Sequence, residues 1–218
     1  RRSRGVYLMS RSHLQLGVLV SGSGTNLQAI LDAASEGRIP VDINVVISNR
    51  PKAKSIERAR QKGVPTAVVS HRKYKDRQVF EQKLIDVLTE YGVEWIALAG
   101  FMRILTPFFL ETFPGRVVNI HPALLPSFPG THAQRQALKY GVRFSGCTVH
   151  FVDQGTDTGP IIAQAVVPVL DTDDEASLGA RILEQEHRIY PWVLKLLAEG
   201  RIEVKGRRVL KAWYSSVL

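Results

Sequence analysis

The sequence predicts a single α/β domain in which a mostly parallel, twisted sheet has helices on both faces. Short runs of β-branched and other apolar residues alternate along the 218-residue chain with longer segments of helical periodicity, which is the pattern of βαβ units. The predicted strands are nearly continuously apolar, as strands buried on both faces are. The length fits one domain, and the chain shows no internal repeat and no low-complexity linker.

The first half of the chain contains four predicted strands and three predicted helices. Gly37 and Gly63 follow the first two helices and end them, and apolar residues at Val79, Phe80 and Leu84 give the third helix its period. The strands are predicted over residues 16–20, 43–47, 66–69 and 95–99, and the helices over 26–36, 53–62 and 76–91.

The second half contains three further strands, two helices and a short antiparallel strand pair near the C-terminus, around Gly206. The strands are predicted over 117–120, 147–152 and 161–169, and the helices over 132–140 and 174–199, each followed by a glycine. In open α/β sheets, ligands bind outside the carboxyl ends of the strands. The segments that follow predicted strands, 22–24, 100–103, 119–121 and 153–157, should therefore line one cleft.

The net charge of +9 is concentrated at the two ends. Residues 1–13 contain four arginines and no acid, and residues 201–218 contain five Lys or Arg and one Glu, which leaves +1 for residues 14–200. A nucleic-acid-binding module would have to use the ends, because the body is almost neutral. We expect a flexible basic tail over 1–13, a globular domain over 14–205 and a basic C-terminal extension over 206–218, with no nucleic-acid or membrane partner.

Cysteine content and hydropathy predict a cytoplasmic protein. The one cysteine, Cys147, lies in an apolar run, which indicates a buried and unreactive thiol. A single cysteine excludes an internal disulfide and fits a reducing compartment. There is no run of about 18 apolar residues, so no transmembrane helix is predicted, and no long apolar stretch follows residues 1–13 as a signal peptide requires.

Two segments at predicted strand ends contain the residue types that acyl transfer needs. Residues 119–126 include Asn119 and His121, and residues 150–160 include Asp157 in a loop rich in Gly and Pro. An amide can stabilise an oxyanion, an imidazole can transfer a proton, and a nearby carboxylate favours the protonated imidazole. Spacing alone also allows three unrelated polar residues at loop ends.

The turn 21–26, Ser-Gly-Ser-Gly-Thr-Asn, joins a predicted strand to a predicted helix. Its glycines allow close backbone approach, and the free N–H groups at a helix start favour a phosphate. It is not a Walker loop, since no Gly-Lys-Ser/Thr follows, and Leu27 stands where a dinucleotide fingerprint has its third glycine. A phosphate monoester fits better than NAD, because the second strand ends without an acidic residue, although Arg50 leaves an NADP-linked oxidoreductase open.

No metal site is predicted. His121, His150 and Asp157 lack the i, i+3 or i, i+4 spacing of metal-binding helices, and there is no cysteine pair. His150 lies within a predicted strand, and we expect it to be a structural histidine. The Gly-x-Ser-x-Gly motif of serine hydrolases is also absent.

Taken together, the motifs resemble those of the folate-dependent formyltransferase family, and within it the phosphoribosylglycinamide formyltransferases (glycinamide ribonucleotide transformylases), whose fold is Rossmann-like. The resemblance extends from about residue 16 to 205. Departures are mild: Ala123 and Thr25 stand where serine is frequent, and the first dozen residues have no counterpart. The matching motifs are SGxGTNLQ at 21–28, LAGFMRIL at 98–105, NIHP at 119–122, LLP at 124–126, TVHFV at 148–152, DxGP at 157–160 and QEHxIYP at 185–191.

The resemblance implies roles for the residues at the matching positions. Asn119, His121 and Asp157 would be catalytic. Gly24, Thr25 and Asn26 would hold the substrate phosphate, and Glu186 would contact the sugar or glycinamide part. The folate would contact Arg77, Met102, Arg103, Ile104, Leu105, Asn119, Asp153, Gln154, Gly155, Thr156 and Asp157.

The reaction that the resemblance implies is formyl transfer from 10-formyltetrahydrofolate, as a donor substrate, to the amine of glycinamide ribonucleotide in purine biosynthesis, with no metal. Asn119 and protonated His121 would stabilise the oxyanion, with Asp157 beside the imidazolium. The partners would be small molecules, and the chain a monomer or weak homodimer. Ten Lys or Arg between residues 50 and 77, against two acids, predict either a solvated face or an edge that attracts the folate's glutamate tail.

Overall fold

The computed structural model describes residues 13–210, which form a seven-stranded sheet, its covering helices and a two-stranded hairpin. The elements, in chain order, are β1 (Leu14–Val20), α1 (Thr25–Ser35), β2 (Val41–Ser48), α2 (Lys54–Gln61), β3 (Thr66–Val68), α3 (Arg77–Glu90), β4 (Trp95–Leu98), α4 (Pro107–Thr112), β5 (Val117–His121), α5 (Ala133–Tyr140), β6 (Phe144–Phe151), β7 (Ile161–Pro168), α6 (Glu175–Ala198), β8 (Glu203–Lys205) and β9 (Arg208–Leu210). Almost all of the predicted basic tail and most of the predicted C-terminal extension lie outside the described residues.

The large sheet has the order β3-β2-β1-β4-β5-β6-β7. Its first five strands pair in parallel, and β6 and β7 add antiparallel strands at one edge. The mostly parallel sheet predicted from the sequence is therefore confirmed. The chain runs outward from β1 to β3 and then returns to place β4 on the other side of β1. This reversal leaves a crevice at the carboxyl ends of β1 and β4, where ligands bind in such folds.

Helices cover both faces of the sheet, as predicted. Side chains alternate along each strand, so each buried strand contributes apolar residues to both faces. In β1, Leu16 and Val18 pack in a core that includes residues of α1, α2 and α6, whereas Leu19 packs in a second core with residues of α3 and α4. In β4, Ala97 packs in the first core and Ile96 packs in the second. Apolar residues at consecutive positions are thus explained by burial on both faces.

Helix α6 is held against the centre of the sheet by Tyr190. Its side chain is fully buried, and its hydroxyl lies 2.9 Å from the Leu98 carbonyl oxygen and 3.2 Å from that of Val118. At the other end, Asp174 and Ser177 form a reciprocal capping box that fixes the start of the helix. Tyr190 lies four residues after Glu186, so the same helix face directs Glu186 toward the sheet.

The structure differs from the sequence prediction at several elements. Helix α4 was not predicted, although Thr106 followed by Pro107 at its first turn is a recognisable start signal. A 3₁₀ turn at His71–Lys73 was also not predicted. Strand β6 begins at Phe144, three residues earlier than predicted. The prediction started at the continuous apolar run, and the exposed Phe144 lies before that run.

Two other expectations are confirmed, the C-terminal strand pair and the buried cysteine. Strands β8 and β9 form the short antiparallel pair around Gly206, so the boundary that we placed after Lys205 falls in its turn. Cys147 is buried, and burial raises the pKa of its thiol far above the ordinary value. Within residues 13–210, no helix combines the length and the apolar character needed to cross a bilayer.

Candidate active site

A cleft of about 1130 Å³ opens at the carboxyl ends of β1, β4 and β5. Its walls come from the turn after β1, the segment after β4, the end of β5, the loop after β6 and one face of α6. The sequence-predicted site residues that line it are Thr25, Asn26, Met102, Arg103, Ile104, Leu105, Asn119, His121, Asp153, Gly155, Thr156, Asp157 and Glu186. The structure therefore brings most of the predicted residues together around one space.

His121 ends β5 and is held by an oxygen acceptor at each ring nitrogen. Nε2 lies 2.8 Å from the carbonyl oxygen of Phe128, and Nδ1 lies 3.3 Å from Oδ2 of Asp157. The side chain is 5% exposed, so water competes little for either contact. An imidazolium has an N–H on both nitrogens and can donate to both acceptors at once.

Asp157 is held in place by its backbone and by a neighbouring amide. Its φ of 55° lies in the left-handed region, which a residue with a Cβ adopts infrequently. The Gly130 N–H donates to Oδ2 at 2.8 Å, so the oxygen that faces His121 is also fixed from another loop. These constraints direct the carboxylate toward His121 and the cleft, and a strained backbone of this kind is common at functional sites.

Asn119 is oriented by His150, which we expected from the sequence to be structural only. The two residues are register partners on antiparallel strands, and Nδ2 of Asn119 lies 3.3 Å from Nε2 of His150. Nδ1 of His150 lies 2.8 Å from the Phe151 carbonyl oxygen, and burial holds the pKa of His150 below its ordinary value. A neutral ring with its proton on Nδ1 fits both contacts, since Nε2 then accepts from the Asn119 amide.

The turn after β1 leads directly into α1 and presents a helix N-terminus to the cleft. Gly24 precedes the helix with φ 72°, and the helix begins at Thr25. Nδ2 of Asn26 donates to Oε2 of Glu186 at 2.7 Å, while Oδ1 of Asn26 is buried without a hydrogen-bond partner among the described residues. Free backbone N–H groups at such a terminus are suited to an anion.

Glu186 is a buried carboxyl group on the cleft wall. It is 6% exposed, and burial raises its pKa to about 7, with the Asn26 hydrogen bond opposing the shift. Near neutral pH this group therefore exists in both protonation states. It can accept a hydrogen bond from a ligand in one state and donate one in the other.

The segment after β4 forms an apolar wall of the cleft. Met102 is 63% exposed and Ile104 is 56% exposed, which is unusual for large apolar side chains. The wall is tied to the turn after β1, because the Met102 N–H donates to Oγ of Ser21 at 2.8 Å and that hydroxyl donates to Asn49. The turn and the apolar wall are thus connected by one buried hydroxyl.

Three predicted site residues do not line the cleft: Gly24, Arg77 and Gln154. Gly24 is part of the turn, and a Cβ added to it would point at Ser55 of α2, 2.5 Å away. Arg77 starts α3, where its Nε lies 3.7 Å from Oε1 of the buried Glu81. Glu81 also accepts from the backbone N–H and the hydroxyl of Thr106, so it connects Arg77 to the end of the apolar wall.

Sequence reasoning did not anticipate several residues of the cleft. His132, Gln134, Glu175, Gly179 and Leu183 line it because α5 and the start of α6 close one side. No sequence motif distinguishes them, since their position depends on helix packing. Among residues 13–210, no group of three His, Cys, Asp or Glu is placed to hold a metal ion.

Comparison with known proteins identifies relatives along most of the chain. The formyl transferase family model matches residues 14–194. The chain is 44% identical to the phosphoribosylglycinamide formyltransferase of Escherichia coli over 191 residues, which is 88% of this chain and 90% of that protein. The crystal structure of glycinamide ribonucleotide transformylase 1 from Symbiobacterium toebii has a sequence 52% identical to this one and superimposes with a TM-score of 0.91. The match covers 94% of this chain and 97% of that chain.

Some relatives are much longer than this chain. The trifunctional purine biosynthetic protein adenosine-3 of Drosophila melanogaster is 47% identical over 195 residues, and the match covers 88% of this chain but 14% of that protein. The chain therefore corresponds to one segment of such a protein.

Proposed function

The chain belongs to the formyl transferase family, and from this premise we propose that it transfers a formyl group from 10-formyltetrahydrofolate to the primary amine of glycinamide ribonucleotide. One observation supports this most strongly: a single cleft joins a helix N-terminus suited to phosphate with Asn119, His121 and Asp157. The names of the bacterial relatives agree with it.

The cleft divides between the two substrates. The phosphate lies at the start of α1, where Thr25 and Asn26 face the cleft and Gly24 supports the turn. Glu186, next to Asn26, contacts the sugar or glycinamide part. With the phosphate and sugar held there, the amine of the ribonucleotide faces Asn119 and Asp157, which line the same cleft.

The formyl donor occupies the other end. Exposed Met102 and Ile104 offer an apolar surface for a flat ring, and the loop from Asp153 to Asp157 covers it. That loop is ordered by Asp153, whose Oδ1 accepts from the Gly155 N–H at 3.1 Å and from the Thr158 hydroxyl at 2.6 Å. The volume of about 1130 Å³ lies just above the usual range for a ligand site, about 300–1,000 Å³, which is consistent with a cleft shared by two substrates.

Asn119 stabilises the oxyanion that develops as the amine adds to the formyl carbon. Its amide is preorganised by His150, so little reorganisation is needed when the charge appears. His121 adds positive charge beside the same oxygen. Electrostatic stabilisation of this kind is worth about a hundred- to a thousandfold in rate for each donor in comparable sites.

His121 and Asp157 move the proton. The attacking amine must lose a proton, and the nitrogen of the leaving folate must gain one. Nδ1 of His121 lies on the Asp157 side of the ring, and Asp157 holds a proton there through its contact at 3.3 Å. Transfer through these groups, directly or through one water, completes the reaction without a covalent enzyme intermediate.

The proposal is tested by incubating the protein with a 10-formylfolate donor and glycinamide ribonucleotide and following donor absorbance. We expect donor consumption that depends on the ribonucleotide. Titration with NADPH, with the three tryptophans as a fluorescence probe, tests the competing oxidoreductase. NADPH binding without ribonucleotide-dependent donor consumption would overturn the proposal.

A further inference from the structure

Arg58 of α2 is fixed directly behind the turn that leads into α1. Its Nε donates to the Ser23 carbonyl oxygen at 2.8 Å, and its Nη1 donates to Oε1 of Gln28 at 3.2 Å. Ser23 precedes the start of α1 and Gln28 lies in its first turns. Two hydrogen bonds therefore attach one guanidinium group to both sides of the helix N-terminus.

Helix α2 packs against this turn with no space between them. A Cβ on Gly24 would lie 2.5 Å from Cβ of Ser55 and 3.5 Å from Cδ of Arg58. The Ser55 N–H also donates to the Gly22 carbonyl oxygen at 3.2 Å. The charge of Arg58 is consequently held close to the amides that face the cleft.

The cleft itself is poor in positive charge. Its lining contains four carboxyl groups, those of Asp153, Asp157, Glu175 and Glu186. Among the described residues it contains one arginine, Arg103, besides the imidazole of His121. A phosphate monoester has a charge of about −1.5 to −2 at neutral pH, whereas a helix N-terminus supplies about +0.5. Binding of the phosphate at α1 thus needs a further cation near the turn.

Arg58 is available for this role because its charge is not neutralised locally. The ion pairs formed among residues 13–210 do not include Arg58, and the nearby Asp32 is paired with Lys62 at 2.8 Å. A second cavity of about 400 Å³ lies on this side, and it shares Thr25 with the cleft. Burial, together with the charge of Arg58, holds the pKa of its neighbour His187 below the ordinary value.

We propose that Arg58 is the positioning residue that supplies the positive charge for the substrate phosphate. It holds the Ser23 carbonyl in place and acts on the phosphate through the turn and through space, without lining the cleft. The inference rests on the proposed function, since it assumes a phosphorylated acceptor.

The test compares kcat/KM for glycinamide ribonucleotide with kcat/KM for its dephosphorylated riboside. Wild-type protein should prefer the phosphorylated acceptor. Arg58→Gln should reduce that preference about tenfold, the scale of removing one charge several ångströms from the phosphate at an effective dielectric of about 20, while KM for the formyl donor stays unchanged. Arg58→Lys, which keeps the charge, should retain most of the preference. Arg60→Gln, on the same helix and bonded to Thr66 instead, is the matched control and should not change it.

The preference ratio separates a charge effect from a loss of structure. An unchanged ratio in Arg58→Gln, or an equal loss in Arg58→Lys and Arg58→Gln, would overturn the inference. If Arg58→Gln does not fold, Arg58→Met provides the neutral side chain. Failure of the wild type to use the ribonucleotide would instead reject the proposed function.

Discussion

His121 and Asp157 are 36 positions apart in the sequence, yet Nδ1 of His121 lies 3.3 Å from Oδ2 of Asp157. Nε2 of the same ring lies 2.8 Å from the Phe128 carbonyl oxygen. The ring is thus fixed from both sides, and the Nδ1 proton lies between His121 and Asp157. The proposed mechanism depends on this contact more than on any other.

Replacing either member of this pair should remove most turnover and leave substrate binding largely intact. In Asp157→Asn and in His121→Ala, we expect kcat to fall about a hundred- to ten-thousandfold, the range for a lost proton-transfer group. Calorimetry should give ribonucleotide affinities close to wild type. Asp171→Asn, an exposed carboxylate paired with Arg143, is the control. Near-normal kcat at saturating substrates in either variant would contradict the mechanism.

The turn before α1 should separate acceptor binding from donor binding. Asn26→Ala removes the partner of Glu186, and we expect about tenfold weaker ribonucleotide binding with donor binding unchanged.

Gly24→Ala should also weaken ribonucleotide binding. It should lower the free energy of unfolding by about 2 kcal/mol as well, because φ is 72° at this position and Ser55 occupies the space that the Cβ needs. Gly22→Ala meets no atom within 4 Å and serves as control. Equal loss of both ligands in calorimetry would point to a folding defect.

Glu186 should make stability depend on pH. Its pKa is raised from 4.5 to about 7 in the folded protein, so the unfolded chain releases the proton first and wild-type stability falls as pH rises from about 4.5 to 7. Glu186→Gln removes the titrating group, so the free energy of unfolding of the variant should not fall over this pH range. Relative to wild type, the variant should gain up to about 3 kcal/mol between pH 5 and 8, measured by urea unfolding.

Glu184→Gln, exposed on the same helix, is the control and should follow the wild type at both pH values. The same pH dependence in wild type and in Glu186→Gln would show that the carboxyl group is already ionised at pH 5.

The basic edge formed by Lys73, Lys75 and Arg77 should attract the carboxylates of a folate's glutamate tail. All three side chains are exposed, and such contacts are worth about 0–1 kcal/mol each and are screened by salt. A polyglutamylated donor should bind more tightly than the monoglutamate at low ionic strength. The advantage should shrink in high salt and in a Lys73→Ala, Lys75→Ala double variant.

Lys83→Ala, farther along α3 and also exposed, is the control for this edge. A preference for the longer tail that neither salt nor the double variant changes would show that the basic run is only a solvated face.

The sequence was sufficient for most of the fold, because its signals are local. Alternating strand and helix periods predicted the parallel sheet, and glycines marked helix ends. The direction of β6 and β7 could not be deduced, since their apolar runs fit parallel and antiparallel pairing equally well. Helix α4 is six residues long and follows a loop, so it offers little periodicity to detect.

The site was partly predictable for the same reason. Asn119 and His121 lie at the carboxyl end of β5, and the carboxyl ends of parallel strands meet at one edge of the sheet. Asp157 instead follows the antiparallel strand β6, so strand direction does not explain its contact with His121. His150 was not assigned its role because its contact with Asn119 depends on the β5–β6 register. Arg77 does not line the cleft, and packing of α3 places its guanidinium group beside Glu81 instead, which no local pattern reveals.

The most direct measurement of the central claim follows the formyl carbon itself. A donor labelled with ¹³C in its formyl group is mixed with glycinamide ribonucleotide and observed by NMR, with wild-type protein and with Asp157→Asn. The account predicts that the wild type moves the label onto the ribonucleotide amine, one for each donor consumed, and that the variant does so at least about a hundredfold more slowly. Label released as free formate at the same rate with and without the ribonucleotide would contradict it.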